Sequence, residues 1–238
     1  MRAVVLVAAL FTSAVLALAG CGGGHTHGAA TLWVTSDRGA DVLYAGTVPA
    51  GLTAMQALTR VQKVSTRYGG RYVQAIDGHS GSLSSQHDWF FFVNGVESDT
   101  GAAEVTLRPG DVEWWDYRSW AGGGLSVPVV VGAFPEPFLR GFQWAKPGAT
   151  VAYLQLADAG VARRLAREVG GHVEGLTVRP GAGIVQLAAR GNVIEIGFPG
   201  TPGISRAGSA VRLLLTSKQA AALAASPAAF RRRYQVPS

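Results

Sequence analysis

Short apolar runs, separated by turn-forming residues, set the pattern of the first half of this chain. Thr31 to Ser36 (TLWVTS) and Val42 to Val48 (VLYAGTV) are rich in β-branched and aromatic residues, and Asp37-Arg38-Gly39-Ala40-Asp41 lies between them. Two such runs around a turn predict a hairpin. Pro49-Ala50-Gly51 breaks the chain, and the period then changes: Leu52, Met55, Leu58 and Val61 form a helical stripe. Thr53 stands as N-cap with Gln56 three residues later, the spacing of a capping box. Arg71 to Ile76 (RYVQAI) reads as a strand, Asp77 to Gln86 as a polar loop, and Trp89 to Val93 as a further strand. The last of these ends in Asn94-Gly95, a dipeptide suited to the type I′ turn of a tight hairpin. Pro109-Gly110-Asp111 opens a closing strand, VEWWDY, that ends near Trp120.

Ala121 to Ser126 (AGGGLS) has three consecutive glycines and no apolar period, which marks a linker. Beyond it, Val127 to Val131 and Thr150 to Leu156 read as strands, and Asp158 as the cap of a helix from Ala159 to Val169. Val161, Leu165 and Val169 share one face of that helix. Ile184 to Ala188, Val193 to Gly197 and Ala210 to Thr216 are further strands, and Ser217 opens an alanine-rich helix. Ser226-Pro227 then starts a short one, serine as N-cap and proline at the first helical position. The predicted fold class is α+β: a hairpin, a packed helix and returning strands make a β-grasp-like domain over residues 31–120. A second small α+β domain of no recognised type follows over 127–238, and no sequence repeat relates the two.

Hydrophobic residues make up 48% of the 238 and charged ones 15%, a balance that excludes a disordered chain. The formal net charge is +6, but the basic residues are scattered apart from Arg231-Arg232-Arg233, so no nucleic-acid stripe is indicated. The N-terminus, MRAVVLVAALFTSAVLALAGC, has one positive residue, an apolar run from Ala3 to Ala19 and small residues before a lone cysteine. That is the layout of a secretory signal over residues 1–20. The ending Leu18-Ala19-Gly20-Cys21 resembles the lipobox of bacterial lipoproteins, which implies cleavage before Cys21 and a diacylglycerol on its thiol. An uncleaved membrane anchor is the alternative; either places the remaining chain outside the cytoplasmic membrane, on its outer face or in the periplasm. Cys21 is the single cysteine, so no intrachain disulfide can form. Residues 21–30 read as a flexible tether, and the His25 and His27 within it lack the further ligands a metal site needs.

Ile76-Asp77-Gly78, then Trp89 with its aromatic neighbours leading into Val93-Asn94-Gly95, then Gly110-Asp111 followed by Trp115 and Tyr117, form an ordered set. In these motifs residues 31–120 resemble the bacterial transcobalamin C-terminal-like domain family, a family of unknown function. The resemblance implies a β-grasp-like fold and an extracytoplasmic, anchored protein. In transcobalamin and intrinsic factor the corresponding domain closes over cobalamin together with a helical barrel, and no such barrel fits into this chain. A capture or accessory module beside an uptake system is what the resemblance leaves open.

Alternation along the strands divides the aromatic residues between two faces. Trp89, Phe91 and Val93 point one way and Phe90 and Phe92 the other; Glu113, Trp115 and Tyr117 oppose Val112, Trp114 and Asp116. The helix covers one face, since burial of a large aromatic side chain is worth roughly 1.5–3 kcal/mol. The other face is left to the second domain or to a flat organic ligand. Trp114, Tyr117 and Trp120, with Arg118 beside them, are the candidate ligand-binding residues. Gly78-His79-Ser80-Gly81-Ser82 lacks the final glycine and the strand-to-helix context of a nucleophile elbow. The Pro180–Gly183 and Pro199–Gly203 loops lack the Gly-Lys-Ser/Thr of a phosphate loop. No zinc spacing or carboxylate pair occurs, so the residues point to no metal, cofactor or catalytic centre. Arg231–Arg233 reads as a solvated helix end, with lipid headgroups as the alternative contact. The expected function is a non-enzymatic, membrane-anchored lipoprotein that binds a small ligand, of corrinoid-like or other type, as an uptake or accessory module with a transporter or surface protein as partner. The alternative is a surface module whose aromatic face docks a protein.

Overall fold

Strand Ala29–Ser36 (β1) pairs antiparallel with Asp41–Pro49 (β2), forming the expected hairpin. The structure is a computed structural model and describes residues 28–122, 124–140, 148–175 and 191–237. Cys21, His25 and His27, the Pro180–Gly183 loop and the strand expected at Ile184–Ala188 lie outside the described residues. Helix Ala54–Val61 (α1) begins on a complete capping box, with Gln56 N–H donating to Thr53 Oγ1 at 3.1 Å and Thr53 N–H to Gln56 Oε1 at 2.9 Å. Leu58, Ala54 and Ala57 are buried, and Leu52, Met55 and Val61 pack half-buried around them.

Val64–Arg67 (β3), Tyr72–Ile76 (β4) and His79–Ser80 (β5) make a small antiparallel sheet. β3 is mostly exposed and β5 is two residues long, so neither leaves an apolar pattern to read. His87–Val93 (β6), Val96–Glu97 (β7) and Val112–Ser119 (β8) return to the first hairpin. The main sheet runs β2-β1-β8-β6-β7, with β8 parallel to β1 and antiparallel to β6. A hairpin, a helix on one face and a last strand inserted beside the first are the β-grasp-like arrangement. The fold is α+β.

The second half is built on another sheet. Thr150–Tyr153 (β9), His172–Gly175 (β10), Val193–Ile196 (β11), Gly203–Ala207 (β12) and Ala210–Leu215 (β13) run in the order β10-β9-β11-β13-β12. All neighbours are parallel except the edge pair β12–β13. A four-residue helix, Glu136–Leu139 (α2), precedes this sheet. Ala159–Glu168 (α3) links β9 to β10, and Ser217–Ala225 (α4) follows β13. Leu165 and Val169 are fully buried as expected, and Ala162 and Ala166 complete the α3 face.

The second half departs from expectation at several places, and the strand expected over Thr150–Leu156 ends at Tyr153, with Leu156 in a 3-10 turn. Val127–Val131 is not a strand: only Val129 bridges, to Val96, and Val131–Ala133 is a 3-10 turn. Its hydrogen bonds go to scattered partners instead, Val130 N–H to Gly95 O at 2.8 Å and Val131 N–H to Tyr234 O at 3.3 Å. Asp158 does not cap α3, because a 3-10 turn runs straight into the helix and Asp158 already has helical backbone angles. Its buried carboxylate accepts from Ser217 Oγ at 2.8 Å and ties the starts of α3 and α4 together. Ser226 makes no capping bond, and Pro227–Phe230 is a 3-10 turn. The cap of α4 itself is Thr216, with Gln219 closing its capping box.

Candidate functional site

The β6–β8 pair divides its rings as strand alternation requires. Trp89 and Phe91 join Trp115 and Tyr117 on the α1 side, where Phe91 and Trp115 stack at 4.6 Å with an interplanar angle of 21°. Phe90, Phe92 and Trp114 join Trp33 on the opposite side. That outer face is covered by the second half: Val130, Ala133 and Tyr234 pack on it. Tyr234 meets Trp114 edge-on at 5.5 Å and Phe92 at 5.6 Å.

A polar network runs through this contact. Tyr234 O–H donates to Asp116 Oδ2 at 2.8 Å, Gly39 N–H to Asp116 Oδ1 at 3.0 Å, and Thr35 Oγ1 to Asp116 Oδ1 at 2.5 Å. Trp114 Nε1 in turn donates to Thr35 Oγ1 at 2.7 Å. Asp116 and Thr35 are fully buried, so these bonds replace water that the carboxylate would otherwise hold. Burial first, and then the Asp116 charge, raise the Tyr234 hydroxyl far above its ordinary range, so it stays a donor.

The four residues singled out from sequence do not converge on one concavity. Trp114 is fully buried beneath Tyr234. Arg118 is 1% exposed, with its guanidinium 3.4 Å from the centre of the Phe90 ring. Trp120 lies half-buried at the edge of the same outer cluster. Tyr117 is on the other face, packed on Trp89 and His87, and its hydroxyl donates to Ser80 O at 2.9 Å.

An open cleft lies on the Tyr117 side, further along the sheet. It encloses about 310 Å3 between the start of β4 and the loop from Ser98 to Ala102. Half-buried Phe91 lines it with the edges of Trp89 and Trp115, the latter 4% exposed, and Arg71, Tyr72, Ser98 and Thr100 stand around them. Ser98 Oγ donates to Thr100 O at 2.8 Å and fixes the loop's shape. Trp115 Nε1 donates to Glu113 Oε1 at 2.7 Å. Burial pushes the Glu113 carboxyl up to about 8, with the Trp115 bond opposing, so it is protonated at neutral pH. At the rim, Tyr72 O–H donates to Asp88; burial and this bond hold the hydroxyl above its ordinary range. A volume near the lower end of small-molecule pockets, an aromatic lining and a few polar groups suit a small, flat ligand. Among the described residues no group of three or more His, Cys, Asp and Glu converges on a metal position.

Residues 51–119 match the family described as Domain of unknown function (DUF4430). The matched segment runs from before α1 to the end of β8, under a third of the chain, and contains all three motifs of the sequence resemblance. Among solved structures, the chain is similar to haptocorrin in complex with Cbi, at 16% identity and a TM-score of 0.35 over 45% of this chain. It spans 29% of that haptocorrin chain. It is also similar to a proposed metal-binding protein from Ruminococcus gnavus, at 12% identity and a TM-score of 0.33, over 39% of this chain and 98% of that one. No curated protein matches this sequence.

The motif residues themselves serve the backbone. Asp77-Gly78 and Asn94-Gly95 are two-residue hairpin turns with positive φ at both positions. Asn94 Nδ2 donates to Asp111 Oδ1 at 2.7 Å and Val112 N–H to Asn94 Oδ1 at 2.9 Å, which locks the turn to the start of β8. The cleft escapes sequence reasoning because one wall is the irregular Ser98–Ala102 loop, which has no period. The signal available is the pairing of Phe91 with Trp115 on one face.

Proposed function

We propose that this chain is a non-enzymatic, extracytoplasmic lipoprotein, anchored through lipid on Cys21, that holds a small flat ligand against Phe91 and Trp115. The observation that carries the reading is the aromatic-lined cleft, left open while the outer aromatic face is covered from within the chain. A single or fused ring system fits its volume; a corrinoid macrocycle, much broader, would be gripped at one edge. An uptake or accessory role beside a transporter fits a ligand-holding module tethered at the membrane. The outer face packs against the chain's own second half, which favours the Phe91 side over a protein-docking role for the outer rings.

The test is a titration of the full chain with cobalamin, related corrinoids, riboflavin and indole, followed by calorimetry and tryptophan fluorescence. Binding by one of these is expected, and Phe91→Ala should weaken it at least roughly tenfold, the loss of one aromatic stacking contact. No heat and no fluorescence change with any of them would overturn the ligand reading. Cys21→Ser should release the protein from membranes; undiminished retention would reject the lipid as the anchor.

A further inference from the structure

Four arginines from distant parts of the chain line a second groove beside Tyr234, which packs on the opposite face of the main sheet from Phe91. Arg38 stands in the β1–β2 turn, and Arg231, Arg232 and Arg233 follow the Pro227–Phe230 turn. Together with Tyr234 they line a groove of about 630 Å3. The reading of Arg231–Arg233 as a helix end does not apply, since a four-residue 3-10 turn has no dipole of consequence to complement.

The segment carrying the arginines is held in place. Arg232 N–H donates to Gly132 O at 3.1 Å, and Arg232 has φ of 58°, a conformation that costs a non-glycine residue about 1–3 kcal/mol. Its carbonyl presses on Gly39, where any Cβ would collide with that oxygen. Strain of this kind persists only where surrounding contacts enforce it. The side chains are aimed by aromatic faces: the Arg38 guanidinium is 5.6 Å from the Tyr234 ring centre and that of Arg232 is 5.6 Å from the Trp33 ring centre.

Among the described residues that line the groove, none carries an acidic side chain. Asp37 and Asp41 neighbour Arg38 along the chain, yet neither lines it. Among the described residues none of the four arginines forms an ion pair. Arg38, Arg231 and Arg233 are exposed, and Arg233 spends one donor on Ala229 O at 3.2 Å. The remaining N–H groups form a concentrated set of planar forks, the geometry that takes phosphate oxygens in pairs.

We infer that this groove binds a phosphate group, and that binding bridges the two halves of the chain, since Arg38 comes from one and Arg231–Arg233 from the other. The inference is independent of the Phe91 cleft. A free phosphorylated molecule and an anionic phospholipid headgroup present the same chemistry, and the two are separable by experiment.

The full chain in mild detergent is titrated calorimetrically with pyrophosphate, with short-chain phosphatidylglycerol and with short-chain phosphatidylcholine. Binding of pyrophosphate supports the groove with a free phosphate as source, and binding of phosphatidylglycerol alone supports it with a headgroup as source. In either case added salt should weaken the interaction, and Arg38→Gln/Arg232→Gln should lower affinity roughly tenfold. Arg231→Gln/Arg233→Gln, which alters only exposed side chains, should do the same with an unchanged thermal melt. Absence of binding by both anions, equal binding of phosphatidylcholine, or affinity unchanged in both double variants would overturn the inference.

Discussion

Glu113 is fully buried on β8, with one oxygen bonded to the Trp115 indole and the other, Oε2, without a partner. Its carboxyl titrates near 8 in the folded protein against an ordinary 4.5, so the folded state keeps a proton that the unfolded chain has released. Stability should therefore be greatest, as far as this group decides it, below about pH 4.5, and fall as pH rises towards about 8 before levelling. Urea midpoints measured between about pH 5 and pH 8 should drop for the native chain and stay flatter in Glu113→Gln. Parallel profiles for the two would show that Glu113 is not the group responsible. The residue's burial is legible in its place beside Trp115 and Tyr117 on one strand face. Its missing partner is not, because that depends on what lies above the strand in space.

At the level of elements, the turns serve two purposes. Gly78 and Gly95 both occupy the second position of a two-residue hairpin, with φ of +87° and +78°. A Cβ added at Gly78 would have nothing within 4 Å, whereas at Gly95 it would meet Val130 O at 2.9 Å, Pro137 Cγ at 2.9 Å and Ala133 Cβ at 3.1 Å. Gly78→Ala should cost only the backbone conformation, about 1–2 kcal/mol. Gly95→Ala should cost about 2–4 kcal/mol, because overpacking against the second half adds to it. Equal losses in chemical denaturation would mean that the second half does not press on this turn. The hairpins, the capped α1, β4, β6 and β8 are all readable from local chemistry, since turn residues and capping boxes act within a few positions of one another. β3, β5, β10 and β12 leave no such signal because they are short, polar or exposed. Val127–Val131 looks like a strand because its apolar residues are contiguous, yet they fill an interface rather than a ladder.

For the whole molecule, the decisive contact joins residues far apart in sequence: Tyr234 to Asp116, Trp114 and Phe92. Sequence alternation separates the two aromatic faces but leaves open whether a ligand or the second half covers the outer one, since no local pattern encodes a contact across so much chain. With that face covered, Trp114 and Arg118 are interior residues, and the exposed opportunities move to the Phe91–Trp115 cleft and the four-arginine groove. The most direct test is fluorine NMR of the full chain labelled with fluorotryptophan, its resonances assigned by single Trp→Phe replacements and followed through titration with the corrinoid, flavin and indole panel. The expected result is that Trp115 and Trp89 shift on binding while Trp33 and Trp114 stay unmoved under Tyr234. Shifts at Trp33 and Trp114 with Trp115 unmoved, or no shift with any of the panel, would contradict it.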